Sequence, residues 1–156
     1  MPGPLITCLW FDGNATEAAN YYIKIFPNSK INSAQNYPES GSDKPKKELT
    51  VEFELNGHKF VGLNGGPEYK FNPAISFQVF CDDQTEVDYY WERLGEGGDE
   101  KAQVCGWVAD KFGVSWQVVP KNLPKLLGGE DKERAGRAMT KMRGMKKLII
   151  EELEKA

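Results

Sequence analysis

Cysteine, histidine and net positive charge are all scarce in this chain, and each scarcity closes off a class of function. The 156 residues hold three cysteines, Cys8, Cys81 and Cys105, with no CxxC spacing. An odd, scattered set argues for free thiols in a reducing compartment and against a disulfide framework or a zinc knuckle. His58 is the single histidine and directly follows the turn pair Asn56-Gly57. It reads as an exposed turn residue, which argues against a histidine triad as well as a histidine metal cluster. The formal net charge is -3, so no positive field recruits nucleic acid or anionic lipid. No apolar run approaches membrane-spanning length. The opening MPGPLITCLWF has no basic segment followed by a long apolar core and a small-residue cleavage site. The expectation is a cytoplasmic protein with neither a membrane nor a nucleic acid among its partners.

What is present is ordinary globular composition. Hydrophobic residues make up 40% of the chain, well clear of the profile of disorder. A chain of this length buries roughly two thirds of its unfolded surface around one core without help from disulfides. Leu5 to Phe11 is rich in strand formers and stops at the turn cluster Asp12-Gly13-Asn14. Asn14 stands three residues before Glu17, the spacing of a capping box, and Ala15, Ala18, Ala19, Tyr22, Ile23 and Phe26 recur at helical spacing until Pro27 and Asn28. Lys30 to Tyr37 reads as a further strand and Pro38 to Lys47 as an exposed loop. Leu49, Val51, Phe53 and Leu55 then alternate with polar residues, Asn56-Gly57 turns the chain, and His58 to Asn64 returns.

The second half starts over. Ala74 to Cys81 is an apolar strand ending at Asp82-Asp83, a helix runs from about Gln84 to Leu94, Lys101 to Val104 has the character of a short strand, and Trp107 to Pro120 is a hairpin about Asp110-Lys111-Phe112-Gly113. Val114, Trp116 and Val118 face one way in that hairpin, and Ser115 and Gln117 face the other, toward something wetter. The helix entries Thr16-Glu17-Ala18-Ala19-Asn20-Tyr21-Tyr22 and Thr85-Glu86-Val87-Asp88-Tyr89-Tyr90 differ by one inserted residue. Both halves therefore read strand, helix, three strands, and each leaves a sheet face that it cannot cover alone. Beyond Pro120 the pattern changes to helix: Leu123 to Leu127, then Glu130 to Arg143 with acids at its start and bases toward its end. The last apolar stretch, Leu148-Ile149-Ile150 with Leu153, is too short to stand by itself and needs a body or a second subunit to dock on. The lysines and arginines of this tail are interspersed with acids and read as a solvated helix face.

The doubled unit, the opening Thr7-Cys8-Leu9-Trp10-Phe11-Asp12-Gly13-Asn14 and the segment Asp110-Lys111-Phe112-Gly113-Val114-Ser115-Trp116-Gln117 resemble the PhnB-like proteins. These belong to the vicinal oxygen chelate superfamily, with glyoxalase I, bleomycin-resistance proteins and extradiol dioxygenases. The tail, Met145 to Ile150 followed by Glu152-Leu153-Glu154, is similar to the closing segment of that family. The resemblance implies an α+β fold of two tandem βαβββ modules, residues 5–66 and 74–120 of a domain spanning 1–120. Their eight strands would form one curled mixed sheet with helices on the convex side, and residues 121–156 a helical extension. It also implies a homodimer with a ligand held in the concave sheet. Some relatives carry the label 3-demethylubiquinone-9 3-methyltransferase, but no strand here leads into a Gly-rich turn and helix that would cradle a nucleotide-like methyl donor.

Catalytic members of the superfamily hold a metal with His, Glu or Gln side chains, and carried over by register those positions fall near Ile6 and at Gly62, Ser76 and Gln117. Only Gln117 is a serviceable donor, so neither a metal nor any other cofactor is expected. Cys8 shares a strand face with Ile6 and Trp10. Its thiol reads as a small core group, or as a nucleophile if a neighbour lowers its pKa. Glu52 and Glu54 share a face and read as a solvated or interface pair, with acid-base work as the alternative. Asn64, Ser76, Gln78 and Gln117 fit as neutral hydrogen-bonding groups in a cup walled by Trp10, Phe60 and Phe80, with Cys8 at its lining. Such a cup suits a planar or amphipathic small molecule. The sequence thus points to a metal-free small-molecule-binding protein. An enzyme of the superfamily's isomerase, lyase or dioxygenase type, or a metal-free catalyst using Cys8 or Glu52, is the competing class.

Overall fold

A computed structural model describes residues 1–37 and 48–156, and the loop expected over Pro38 to Lys47 lies outside them. The chain divides into two compact units, Met1–Lys70 and Phe71–Ala156.

The first unit contains strand β1 (Thr7–Phe11), helix α1 (Ala15–Ile25), and strands β2 (Lys30–Asn36), β3 (Glu48–Leu55) and β4 (His58–Asn64). The sheet order is β1-β4-β3-β2, with β1 parallel to β4 and the other pairs antiparallel. α1 forms because Ala15, Ala18, Ala19, Tyr22 and Ile25 put one small apolar stripe against the sheet, and all five are buried. The sheet answers with Leu9, Phe11, Val51, Phe53 and Phe60. Phe53 is the centre of this core: its ring stacks on Phe60 at 5.2 Å and on Tyr22 at 6.2 Å. Burying a side chain of this size contributes about 1.5–3 kcal/mol. The expected Asn14 capping box does not form, since Asn14 makes no side-chain cap bond. Asn64 at the end of β4 does that work: its Oδ1 accepts from the Ala15 amide at 3.0 Å, and its Nδ2 donates to the Glu48 carbonyl at 3.0 Å.

The second unit opens with β5 (Ser76–Cys81), α2 (Gln84–Gly95), β6 (Trp107–Ala109) and β7 (Ser115–Pro120), in sheet order β5-β7-β6 with β5 parallel to β7. Here the N-cap side chain does bond: Asp83 accepts from the Glu86 amide, and the Glu86 carboxylate reaches back to the Asp82 amide, one residue before the cap. Val87, Trp91 and Leu94 of α2 are buried, as are Cys81, Val108, Trp116 and Val118 of the strands. The hairpin turn closes with Gly113 at φ 91°, the left-handed conformation that suits a residue without Cβ.

The α+β class and the two strand-helix-strand modules stand, but the strand count is lower than the expected eight. Among the described residues there are seven strands in two hydrogen-bonded sheets, of four and three. The short strand expected over Lys101 to Val104 is a 3₁₀ turn at Glu100–Ala102, where Asp99 accepts from the Lys101 amide and pulls the backbone round. Only Val104 retains a β contact, a single bridge to Trp107 around Cys105 and Gly106.

The tail supplies α3 (Leu123–Leu127), α4 (Lys132–Arg143) and α5 (Ile150–Glu154). It docks on its own unit. Leu148 and Leu153 are fully buried, the Cys105 and Gly106 amides donate to the Met145 and Lys146 carbonyls at 2.8 Å each, and Gln84 of α2 bonds both the Leu148 carbonyl and the Ile150 amide.

Candidate functional site

In the first unit the sheet face turned away from α1 carries Cys8 and Trp10 from β1, Val61 and Leu63 from β4, and Thr50, Glu52 and Glu54 from β3. Strand alternation puts them there once Leu9, Phe11, Val51 and Phe53 take the helix side. Register places Cys8, Val61, Glu52 and Ser33 in one row across the four strands. Cys8 and Glu52 are therefore two strand spacings apart, roughly 10 Å at the backbone, with the Val61 side chain between them. Burial raises the Cys8 thiol above its ordinary pKa, and Glu52 accepts a hydrogen bond from Ser33 Oγ at 3.0 Å. Cys8 and Glu52 share a row without forming a thiol–carboxylate pair.

Trp10 is half-buried and fixed from two sides. Its Nε1 donates to the Gly66 carbonyl at 2.8 Å, and the exposed ring of Tyr69 meets the indole edge-on at 5.0 Å. A Cβ on Gly65 would lie 2.4 Å from the indole, so the absence of a side chain there is what lets the loop close on the ring.

In the second unit the face away from α2 presents Ser76, Gln78 and Phe80 from β5, Trp107 and Ala109 from β6, and Ser115, Gln117 and Val119 from β7. Ser76, Ser115 and Ala109 form one row and Gln78, Gln117 and Trp107 the next. Gln117 ties the rows together: its Nε2 donates to Ser76 Oγ at 2.8 Å, and its Oε1 accepts from Gln78 Nε2 at 3.4 Å. The ladder itself leaves unused the Ser76 hydroxyl proton and the Gln78 carbonyl oxygen. Phe80 stands 55% exposed beside it. No ionisable side chain from the three strands lies on this face. At its β6 edge is an apolar pocket of about 390 Å³, bounded by Pro73, Ala102, Val104, Trp107, Ala109 and Ser115 among others.

The expected cup residues therefore separate into two groups. Ser76, Gln78, Phe80 and Gln117 come together on one face of the second unit, and Cys8 and Trp10 share a face of the first. Phe60, expected in a pocket wall, lies against Phe53 on the helix side and is core. Asn64 shares that side as the cap of α1. It borders a depression of about 810 Å³ with Asp12, Tyr37 and Glu48, but its carboxamide is already engaged at both ends. The alternation of β4 that turns Phe60 inward also turns Gly62 inward, where a Cβ would lie 3.1 Å from that of Ala15. The β4 positions on the opposite face are Val61 and Leu63, and neither carries a donor atom. Among the described residues, no group of three or more His, Cys, Asp or Glu is placed to hold a metal ion. His58 is exposed at the start of β4 and hydrogen-bonds the Thr7 hydroxyl at 3.0 Å.

Sequence reasoning passed over Tyr69, which no periodicity marks, and it placed Ser115 on the right face without seeing that the residue is buried.

Residues 4–119 match the family model described as 3-demethylubiquinone-9 3-methyltransferase. The match stops short of the tail. A comparison with curated proteins gives no match. Among solved structures, a putative 3-demethylubiquinone-9 3-methyltransferase, PhnB protein, from Bacillus cereus is 31% identical with a TM-score of 0.66, covering 76% of this chain and 99% of that one. A protein from Pseudomonas aeruginosa, 18% identical with a TM-score of 0.61, covers 76% of this chain and 98% of that one and shares the fold.

Proposed function

This chain belongs to the PhnB-like, 3-demethylubiquinone-9 3-methyltransferase family of the vicinal oxygen chelate superfamily, and from that premise we propose that it binds a small uncharged molecule on its sheet faces without a catalytic metal. The observation that carries the reading is the Ser76–Gln117–Gln78 ladder. Three neutral side chains linked in a line, beside an exposed phenylalanine and a tryptophan, orient a planar guest and offer it one donor and one acceptor.

The superfamily's metal chemistry fits these residues poorly. Ile6, Val61 and Leu63 supply no donor, and Ser76 and Gln117 are hydrogen-bonded to each other, whereas a divalent cation needs several nitrogen or oxygen ligands. The family description names a methyltransferase, but neither strand-to-helix turn, Asp12-Gly13-Asn14 or Asp82-Asp83, is a Gly-rich cradle for a nucleotide-like donor. Metal-free catalysis through Cys8 or Glu52 is disfavoured by the raised thiol and the intervening Val61. Sequestration of a compound by a cytoplasmic homodimer is the role that suits such a binder.

The test is to analyse purified protein by native mass spectrometry and elemental analysis beside a Gln117→Leu variant. Wild type is expected to carry a small organic molecule and no stoichiometric metal, and the variant to lose the molecule. A compound retained equally by both proteins, or a stoichiometric divalent metal, overturns the reading.

A further inference from the structure

The pocket at the β6 edge has one feature that its apolar walls do not explain. Ser115 is 6% exposed, yet its hydroxyl makes no hydrogen bond to another described residue. Among the described residues, no fully buried side-chain nitrogen or oxygen lacks a partner, so the small exposure that Ser115 keeps includes its oxygen. That oxygen belongs to a residue lining a pocket of about 390 Å³ whose other walls include Pro73, Ala102, Val104, Trp107 and Ala109. Water can reach that oxygen through the pocket, so a guest that displaces the water loses free energy unless it offers a hydrogen bond in return.

The Cys105 thiol, also at this pocket, is occupied as a donor to the Met142 carbonyl at 3.2 Å, and no carboxylate, ammonium, guanidinium or imidazole lines the space. An ion entering there would shed its hydration without finding a counter-charge. The volume sits at the small end of ligand pockets, and the Trp107 side chain supplies an aromatic wall.

We infer that this pocket takes an uncharged, mainly apolar molecule of one or two rings that carries a single oxygen, a phenol-like hydroxyl or a carbonyl, which pairs with Ser115. The inference rests on the reading of this face as a binding surface and identifies the class of guest at its β6 end. The ladder holds the polar edge of a ligand; the pocket takes its apolar part and one oxygen.

Phenol, toluene and benzoate are ring probes of similar size that differ in hydrogen bonding and charge. Titrated into the ¹⁵N-labelled full chain, phenol is expected to shift the backbone amides of Val104, Trp107, Ala109 and Ser115. Toluene should do so about two- to tenfold more weakly, the worth of one hydrogen bond, and benzoate at least tenfold more weakly than phenol. Ser115→Ala removes one oxygen and is expected to bring phenol down to toluene's affinity while leaving toluene unchanged. Ala102→Leu, on the 3₁₀ turn, fills the space and is expected to weaken both. Phenol shifts absent from these amides, benzoate binding as well as phenol, or Ser115→Ala weakening toluene as much as phenol would each overturn the inference. The Gln117→Leu protein separates the two readings. If phenol binding depends on Ser115 but Gln117→Leu still keeps the purified protein's compound, the ladder reading fails and the pocket stands. If Gln117→Leu loses the compound but phenol never reaches the pocket, the reverse holds.

Discussion

The carboxylate of Asp110 and the indole of Trp116 are joined by a buried hydrogen bond, Nε1 to Oδ2 at 2.9 Å, while Oδ1 of the same carboxylate accepts from the Phe112 and Val114 amides at 2.9 and 3.0 Å. One side chain thus closes the β6–β7 turn and fixes one of the two buried indoles of the second unit's core. The turn decides which residues of β7 face the ladder.

Replacing Asp110 by alanine strands three donors at once. A loss of about 3 kcal/mol is expected, since each buried unsatisfied group costs roughly 1–3 kcal/mol and relaxation recovers part of it. Of the three hydrogen bonds Trp116→Phe removes only the indole one, at the further cost of a smaller ring in the core, and Asp110→Asn keeps a carbonyl for the turn. Urea unfolding of the three proteins should rank Asp110→Ala as the least stable. An Asp110→Ala protein as stable as wild type would mean that the carboxylate is incidental to the turn.

Asn64 and Asn14 make a matched pair for testing which asparagine caps α1. Asn64→Ala is expected to cost about 1 kcal/mol, and Asn14→Ala only a few tenths, because Asn14 makes no side-chain cap bond. Thermal unfolding of the two variants gives the answer directly, and the reverse order would restore the capping box.

That pair also marks where the sequence stopped being legible. Alternation and turn chemistry placed β1, β3, β4, β5 and β7 within a residue or two, and the stripe of Ala15, Ala18 and Ala19 placed α1, because those signals are local. A cap supplied from β4, 49 residues later in the chain, leaves no local trace. The strand expected at Lys101 to Val104 yielded to the Asp99 cap, whose Asx-turn signal competes with weak strand propensity. In β4 the alternation expected for the site is off by one residue, and Phe60 and Asn64 lie on the helix side instead. With a side-chain period of two, such a slip exchanges core for surface. In β5 and β7, where Trp116 and Val118 anchor the register, Ser76, Gln78 and Gln117 were assigned to their observed face.

The thiols are expected to differ in reactivity by burial. Cys8 is exposed but desolvation holds its pKa above the ordinary value, and Cys81, buried beside Glu86, Asp82 and Asp83, is pushed up to about 12. Alkylation by iodoacetamide at pH 7 should be slower at Cys8 than for a free thiol and undetectable at Cys81 in the folded protein, with the Cys8 rate rising steadily as pH is raised. Mass mapping of the labelled sites checks both statements. A Cys8 that reacts at pH 7 faster than glutathione would mark an activated nucleophile and return the enzyme reading to favour.

Acid should loosen the tail. Asp88 hydrogen-bonds Lys147 at 2.7 Å and Gln84 at 3.0 Å, and these bonds, Lys147 first, hold its carboxyl below the usual carboxylate range. A pKa lowered by folding means that the contribution is fully present above the unfolded value, about 3.9, and is lost as pH falls through the folded one. Lys147→Met is expected to remove part of the stability lost below about pH 4 and to leave the slope near neutrality unchanged. Equal acid sensitivity of the two proteins in urea titrations would dissociate this pair from tail docking.

Gly65→Ala tests whether Trp10 is held or merely adjacent. A methyl at residue 65 would lie 2.4–2.6 Å from the indole carbons, far inside van der Waals contact, so either the ring or the loop must move. The loop is tied down by the Gly65 amide, which donates to the Phe11 carbonyl at 3.0 Å, so the ring should yield. Displacing it breaks the Nε1 bond to the Gly66 carbonyl and the edge-on contact with Tyr69, at a cost of about 1–3 kcal/mol. The freed indole is expected to show red-shifted, more quenchable fluorescence, read most cleanly with the other three tryptophans replaced by phenylalanine. A Gly65→Ala protein with unchanged emission and stability would mean that the loop, not the ring, gives way. The Trp10 side of the first unit's face would then be set by β1 alone.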